Sequence, residues 1–114
     1  LKEPSKIYHI AENVHWTKGL EQGEYRCPSL ESEGFIHFST EDQVIATANR
    51  HYHGVSGLLL VMIFADKLTA RLKYEKAPTG EYFPHLYGPL NLDAVEKVRA
   101  FEPDMNGDFL AIPD

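Results

Sequence analysis

An α+β fold with a mainly antiparallel sheet is predicted by three features of this sequence. Both helical patterns fall in the first half, strand-like apolar runs fill the second half, and the two do not alternate as a doubly wound parallel sheet requires. The 114 residues suit a single domain, 1–114, with one sizeable core.

Residues 6–10, KIYHI, mix β-branched and aromatic side chains and read as a first short strand. A helix follows within residues 11–20, with Asn13 as its N-cap, Gly19 or Gly23 as its left-handed stop, and Trp16 and Leu20 four apart on one face. Pro28 pushes Cys27 toward β geometry, so residues 24–28 are extended. Residues 29–33 are a polar connection from which Leu30 dips inward, and residues 35–38 are the next strand. Thr40-Glu-Asp-Gln43 is a capping box that opens a second helix, whose stripe is Val44, Ala48 and Tyr52 and whose stop is Gly54. Residues 57–65 are nearly all apolar, the mark of a strand covered on both faces. After a turn at 66–69, residues 70–74 alternate as a strand with Leu72 and Tyr74 on one face. Residues 76–81 are a loop. The aromatic segment 82–89 carries two prolines and reads as an ordered loop rather than a ladder strand. Residues 92–95 form a short turn, 98–101 a strand, Asn106-Gly107 a tight turn, and 109–112 a last short strand.

A net charge of -6 argues against a broad electrostatic grip on nucleic acid. The lone cysteine, Cys27, cannot form an internal disulfide, which fits a reducing compartment and a cytoplasmic location. The opening LKEPSK lacks the apolar core of a signal peptide, and the longest apolar run, 58–65, is far short of the roughly 20 residues a bilayer demands, so no membrane partner is expected.

Six histidines are present, and none pairs at zinc-protease spacing; no metal site is expected. His9 and His37 each sit centrally in a short apolar strand. Burying imidazole costs free energy unless both ring nitrogens are satisfied. Either each ring is bonded internally to a backbone carbonyl, or each serves a site. Phe83-Pro-His-Leu-Tyr-Gly-Pro89 poses the same choice, between an aromatic plug over the core and a rigid loop that holds His85 and Tyr87 in place. Arg50, late on the second helix, suits a phosphate or carboxylate, or plain solvent.

The strings IYHI, EGFIHFST and FPHLYGPL, with Trp16, Tyr25 and Ala48-Asn-Arg50 between them, resemble the bacterial domain-of-unknown-function family nine-fifty-two over nearly the whole chain. The fold this resemblance implies is ADP-ribosyltransferase-like, a split antiparallel sheet holding NAD in a central cleft. Tyr8-His9 and Ile36-His37-Phe38-Ser39 are similar to two motifs of the RNA 2′-phosphotransferases in that fold group, with Ile10-Ala11 in place of a Gly-Thr pair. Glu75 and Glu81 are the nearest positional counterparts of the catalytic glutamate of many ADP-ribosyltransferases, and Arg26 and Arg50 are the available arginines.

The resemblance and the histidines together predict a nucleotide-type ligand, NAD or ADP-ribose-like, in a histidine-lined cleft. In that reading His9 and His37 orient a ribose or phosphate, His85 completes the catalytic set, Tyr8, Ser39 and Arg50 contact the ligand, Tyr87 closes the cleft, and Trp16 or Tyr25 stacks on a ring. NAD would be substrate or ligand for ADP-ribosyl transfer. Two alternatives stand beside it: a ligand- or protein-binding module without turnover, and a hydrolase that uses His37 and His85 as acid and base.

Overall fold

The structure, a computed structural model, describes residues 3–114. In chain order it contains β1 (Lys6–Glu12), α1 (Asn13–Gln22), β2 (Glu24–Tyr25), α2 (Pro28–Ser32), β3 (Ile36–His37), α3 (Val44–Tyr52), β4 (Leu58–Phe64), β5 (Arg71–Lys76), β6 (Tyr82–Tyr87), β7 (Leu90–Asn91) and β8 (Val95–Phe101). The fold is α+β, and the strand pairs among the described residues are antiparallel. One three-stranded sheet runs β1-β4-β8, a second runs β3-β6-β5, and β2 pairs with β7. A backbone bridge joins the two larger sheets, where Tyr8 and Ser39 exchange two hydrogen bonds of 2.8 Å. No helix of the described residues is long and apolar enough to cross a membrane.

β4 is the middle strand of its sheet and is covered on both faces, as its unbroken apolar run predicts. Strand side chains alternate sides, so each face feeds its own core. Val61 and Ile63 join Ile7 and Ala11 of β1 against Trp16, Tyr25, Ile36 and Leu86. Leu58, Leu60 and Met62 join Tyr8 and Ile10 against Val44 and Ala48 of α3, closed by Phe101 and Phe109. The stripe Val44, Ala48 and Tyr52 therefore does what its spacing implies.

Several local expectations are corrected. The N-cap of α1 is Glu12, without a side-chain cap, and Asn13 is already helical; Gly23, at φ +86°, provides the left-handed stop. Trp16 is buried but Leu20 is exposed. Tyr25 lies across the helix instead, and Gly19 leaves room for it. Residues 28–32 are helical because Pro28 occupies the first turn, where its missing N–H would be unpaired anyway. Half of the predicted capping box forms: Gln43 Oε1 accepts the Thr40 N–H at 3.0 Å. The helix itself begins only at Val44, whose N–H bonds the Thr40 carbonyl at 3.1 Å. The first half of the chain thus holds three helices rather than two.

The largest correction concerns residues 82–87, which form β6, the central strand of its sheet, rather than a loop. Pro84 is tolerated for a geometric reason. A residue's N–H and C=O point to the same side in an antiparallel ladder. The Pro84 carbonyl accepts from Phe38 N–H, so its absent N–H also faces the β3 side, just past the two paired residues Ile36 and His37. No β5–β6 bond is lost. Residues 109–112 form no strand; Phe109 is held by Asn49, whose amide both donates to the Phe109 carbonyl (2.9 Å) and accepts its N–H (2.7 Å).

The Gly19–Tyr25 contact is testable. A Cβ on Gly19 would sit 3.0 Å from Tyr25 Cα and 3.1 Å from its Cβ. Helix propensity alone favours alanine there by about 1 kcal/mol. Overpacking against backbone opposes it by about 1–3 kcal/mol. Gly19→Ala is expected to destabilise the protein in urea unfolding; a raised midpoint at unchanged slope would show that helix α1 can shift away.

Candidate functional site

Beside the Tyr8–Ser39 bridge lies a cleft of about 830 Å³. Strand β1 contributes Tyr8, His9 and Ile10, the β3 segment contributes His37, Phe38 and Ser39, and β6 contributes Phe83 and His85. Thr47, Arg50 and His51 reach it from α3; three and four residues apart, they share one helix face. Residues 76–79 form part of its wall. The three strand and loop histidines singled out in the sequence thus line one concavity.

They do not share one chemistry. His9 is 6% exposed and is saturated by the protein. A carbonyl can only accept, so the 2.6 Å contact with the His37 carbonyl means that His9 Nδ1 carries its proton. Nε2 is then the acceptor for the Tyr25 hydroxyl at 2.7 Å. Burial is the largest influence on this ring and lowers its pKa to about 4; the bond to the His37 carbonyl opposes the shift without cancelling it. His9 is therefore neutral at physiological pH. Tyr25, only 1% exposed, is a buried partner for His9, its hydroxyl pushed upward mainly by burial.

His37 points the other way. Its side chain is half exposed, with Nε2 3.1 Å from Glu33 Oε2. Register places it directly opposite His85 across the β3–β6 pair, and the two rings meet edge to face with centroids 5.2 Å apart. Phe35 stacks on His85 at 4.1 Å and 20°, and also touches His37 and Tyr87. His85 Nδ1 donates to Glu75 Oε1 at 2.8 Å, and the Tyr87 hydroxyl donates to the same oxygen. The Tyr87 bond first, and the His85 bond second, hold the Glu75 carboxyl below the usual carboxylate range.

The remaining candidates divide. Tyr8, Ser39 and Arg50 line the cleft together with the histidines. Arg50 makes no ion pair or side-chain hydrogen bond among the described residues. Trp16 does not line the cleft; it packs in the core with its ring centroid 5.0 Å from that of Tyr25. Tyr87 also lies outside the lining, beside Glu75, with the Lys73 ammonium 4.9 Å above its ring. Neither Glu75 nor Glu81 lines the cleft: Glu75 stands behind His85, and Glu81 bonds Thr79. Among the described residues no three His, Cys, Asp or Glu side chains converge as a metal site requires. Glu33 and Phe35 are not legible in the sequence as site residues, and Glu75, a candidate there for the catalytic glutamate, is instead the partner of His85. Glu75 reaches His85 diagonally across β5–β6, a relation invisible while 82–87 reads as a loop.

Comparisons with known proteins bear on the fold. The family model described as "Protein of unknown function (DUF952)" matches residues 10–98. The crystal structure of protein CC0527 from Caulobacter crescentus is similar at a TM-score of 0.85 and 31% identity, covering 92% of this chain and 93% of that one. The solution NMR structure of CC0527 is similar at a TM-score of 0.80 and 31% identity, covering 92% and 91%. No curated protein matches the sequence.

The neutral state of His9 predicts a pH dependence. Its folded pKa lies below the unfolded value of 6.5, so the unfolded chain binds the extra proton between the two. The stabilisation is complete above about pH 6.5 and is lost as pH falls toward about 4, a total of ~3 kcal/mol. Urea unfolding at pH 7.5 and 4.5 should show wild type losing ~2 kcal/mol more than His9→Gln across that window. Equal losses would mean that the ring is not held neutral.

Proposed function

The chain belongs to the DUF952 family of proteins of unknown function, and from the geometry of its cleft we propose that it binds a nucleotide-type ligand of the NAD or ADP-ribose class. The carrying observation is the uncommitted Arg50, which lines the same cleft as His37 and His85. A guanidinium suits the paired oxygens of a phosphate. The volume, about 830 Å³, falls in the range of small-molecule sites, and Phe38, Phe83, Pro28 and Pro78 supply apolar wall for a flat ring. The ADP-ribosyltransferase-like architecture is part of this proposal. Its support is the split between two antiparallel sheets and the neighbouring Tyr8-His9 and His37–Ser39 segments at the join. In this reading His9 acts through the frame, by fixing the backbone of His37, and His37 meets the ligand.

A second reading, a binding module without turnover, draws on a specific observation. The acidic candidates for ADP-ribosyl transfer, Glu75 and Glu81, stand outside the cleft lining.

Isothermal titration with ADP-ribose and with NAD tests the ligand class. Wild type is expected to bind at least one of them. Arg50→Met is expected to weaken binding about tenfold or more, the size of a lost charge-assisted contact. Absence of heat at millimolar ligand overturns the proposal. Steady nicotinamide release from NAD that disappears in His37→Ala would overturn the second reading.

A further inference from the structure

We propose that His85 and His37 form a base–acid pair that hydrolyses a nucleoside phosphodiester in this cleft. The inference rests on the nucleotide-type reading above and extends it to a reaction. It begins from the way each ring is held. Glu75, outside the cleft, takes the Nδ1 proton of His85, and Phe35 covers one face of the ring. Nε2 has no hydrogen-bond partner among the described residues, in the tautomer whose lone pair can accept a proton, and His85 lines the cleft. Tyr87 donates to the same carboxylate oxygen, so Glu75 has a second anchor and the imidazole a set orientation. His37 is edge-on to His85, backed on Nε2 by Glu33, and its Nδ1 has no hydrogen-bond partner among the described residues. With Glu33 on Nε2 and Nδ1 unpaired, His37 is the ring placed to hand a proton to a leaving oxygen. The cleft therefore offers a proton acceptor and a proton donor side by side, with Arg50 of α3 lining the same cleft.

The chemistry that needs both is cleavage of a phosphate ester of an alcohol. An alkoxide is a poor leaving group and needs a proton from an acid. A phosphate leaving group, as in an anhydride, does not. A carboxylic ester would make no use of a guanidinium fit for phosphate. In the proposed step His85 Nε2 removes a proton from water as the water oxygen bonds phosphorus. The bond from phosphorus to the sugar oxygen breaks, and that oxygen takes its proton from His37 Nδ1. The products are a phosphomonoester and a free hydroxyl. His85 is left protonated and His37 neutral, and proton exchange with solvent restores the pair. Glu75 and Tyr87 touch no reacting atom; they are positioning residues.

The test uses two probes that differ in their leaving group, adenosine 2′,3′-cyclic phosphate and thymidine 5′-(4-nitrophenyl) phosphate. Wild type is expected to hydrolyse both. His85→Ala and the milder His85→Asn should lose activity on both by about 100-fold or more. His37→Ala should lose about 100-fold on the cyclic phosphate but stay within about tenfold on the nitrophenyl ester, whose leaving group needs no acid. Glu75→Gln should lower kcat about tenfold at unchanged KM on both probes, a split that loss of folded protein would not produce. Unchanged melting of each variant separates chemistry from misfolding. Equal losses on the two probes in His37→Ala overturn the acid assignment and with it the proposal. Wild type that binds ADP-ribose yet cleaves neither probe overturns the proposal while leaving the ligand reading intact; wild type that neither binds nor cleaves overturns both.

Discussion

The hydrogen-bonded imidazole of His9 is the joint on which the cleft depends. One ring links three segments distant in sequence: β1 that carries it, β3 through the His37 carbonyl, and β2 through the Tyr25 hydroxyl. A valine at this place would pack, but it would leave a buried hydroxyl and a carbonyl without partners, each at a cost of roughly 1–3 kcal/mol. The backbone bridge between the two larger sheets, Tyr8–Ser39, lies one residue away from this ring. Without the imidazole, the carbonyl side of His37 would lose the contact that fixes its height against β1. The saturated histidine thus sets where the half-exposed one stands.

Residues of one type in similar strands have been given opposite tasks by their second neighbours. His9 has a carbonyl and a phenol, both uncharged, in a dry setting, and burial outweighs every other influence on it. His37 and His85 each have a carboxylate, and both line the cleft. Strand alternation alone could assign each histidine to a face. It could not say whether that face is covered by Tyr25 and Phe38 or left open.

What could be read from the sequence was what depends on short range. The apolar run of β4, the αL glycine after α1 and the Gln43 half of the capping box follow from chemistry within a few residues. So did the reach of His9, His37, His85, Tyr8, Ser39 and Arg50 toward one place, through the resemblance of their strings to a family. The misplacements share a cause. Trp16 and Leu20 were assigned by helix spacing, but the helix face is decided by Tyr25, which arrives from β2. As part of a loop, Tyr87 reads as a cleft residue; as part of strand β6, it belongs with Glu75. Glu75 is an ordinary surface acid until register puts the His85 imidazole against it, whereas Glu33 meets His37 from four residues away in the chain.

Pro84 carries a consequence of its own. Its nitrogen is a tertiary amide with no proton, so the Phe38–Pro84 pair keeps one hydrogen bond, from Phe38 N–H to the Pro84 carbonyl, and lacks the return bond, which no rearrangement of side chains can restore. The chain beyond Phe38 is thereby released from one sheet at the very residue where it must cross to the other. The gap that becomes the cleft is in this sense written into covalent structure: an imino acid acts as the stop on a zipper, and the hollow is the part left unfastened.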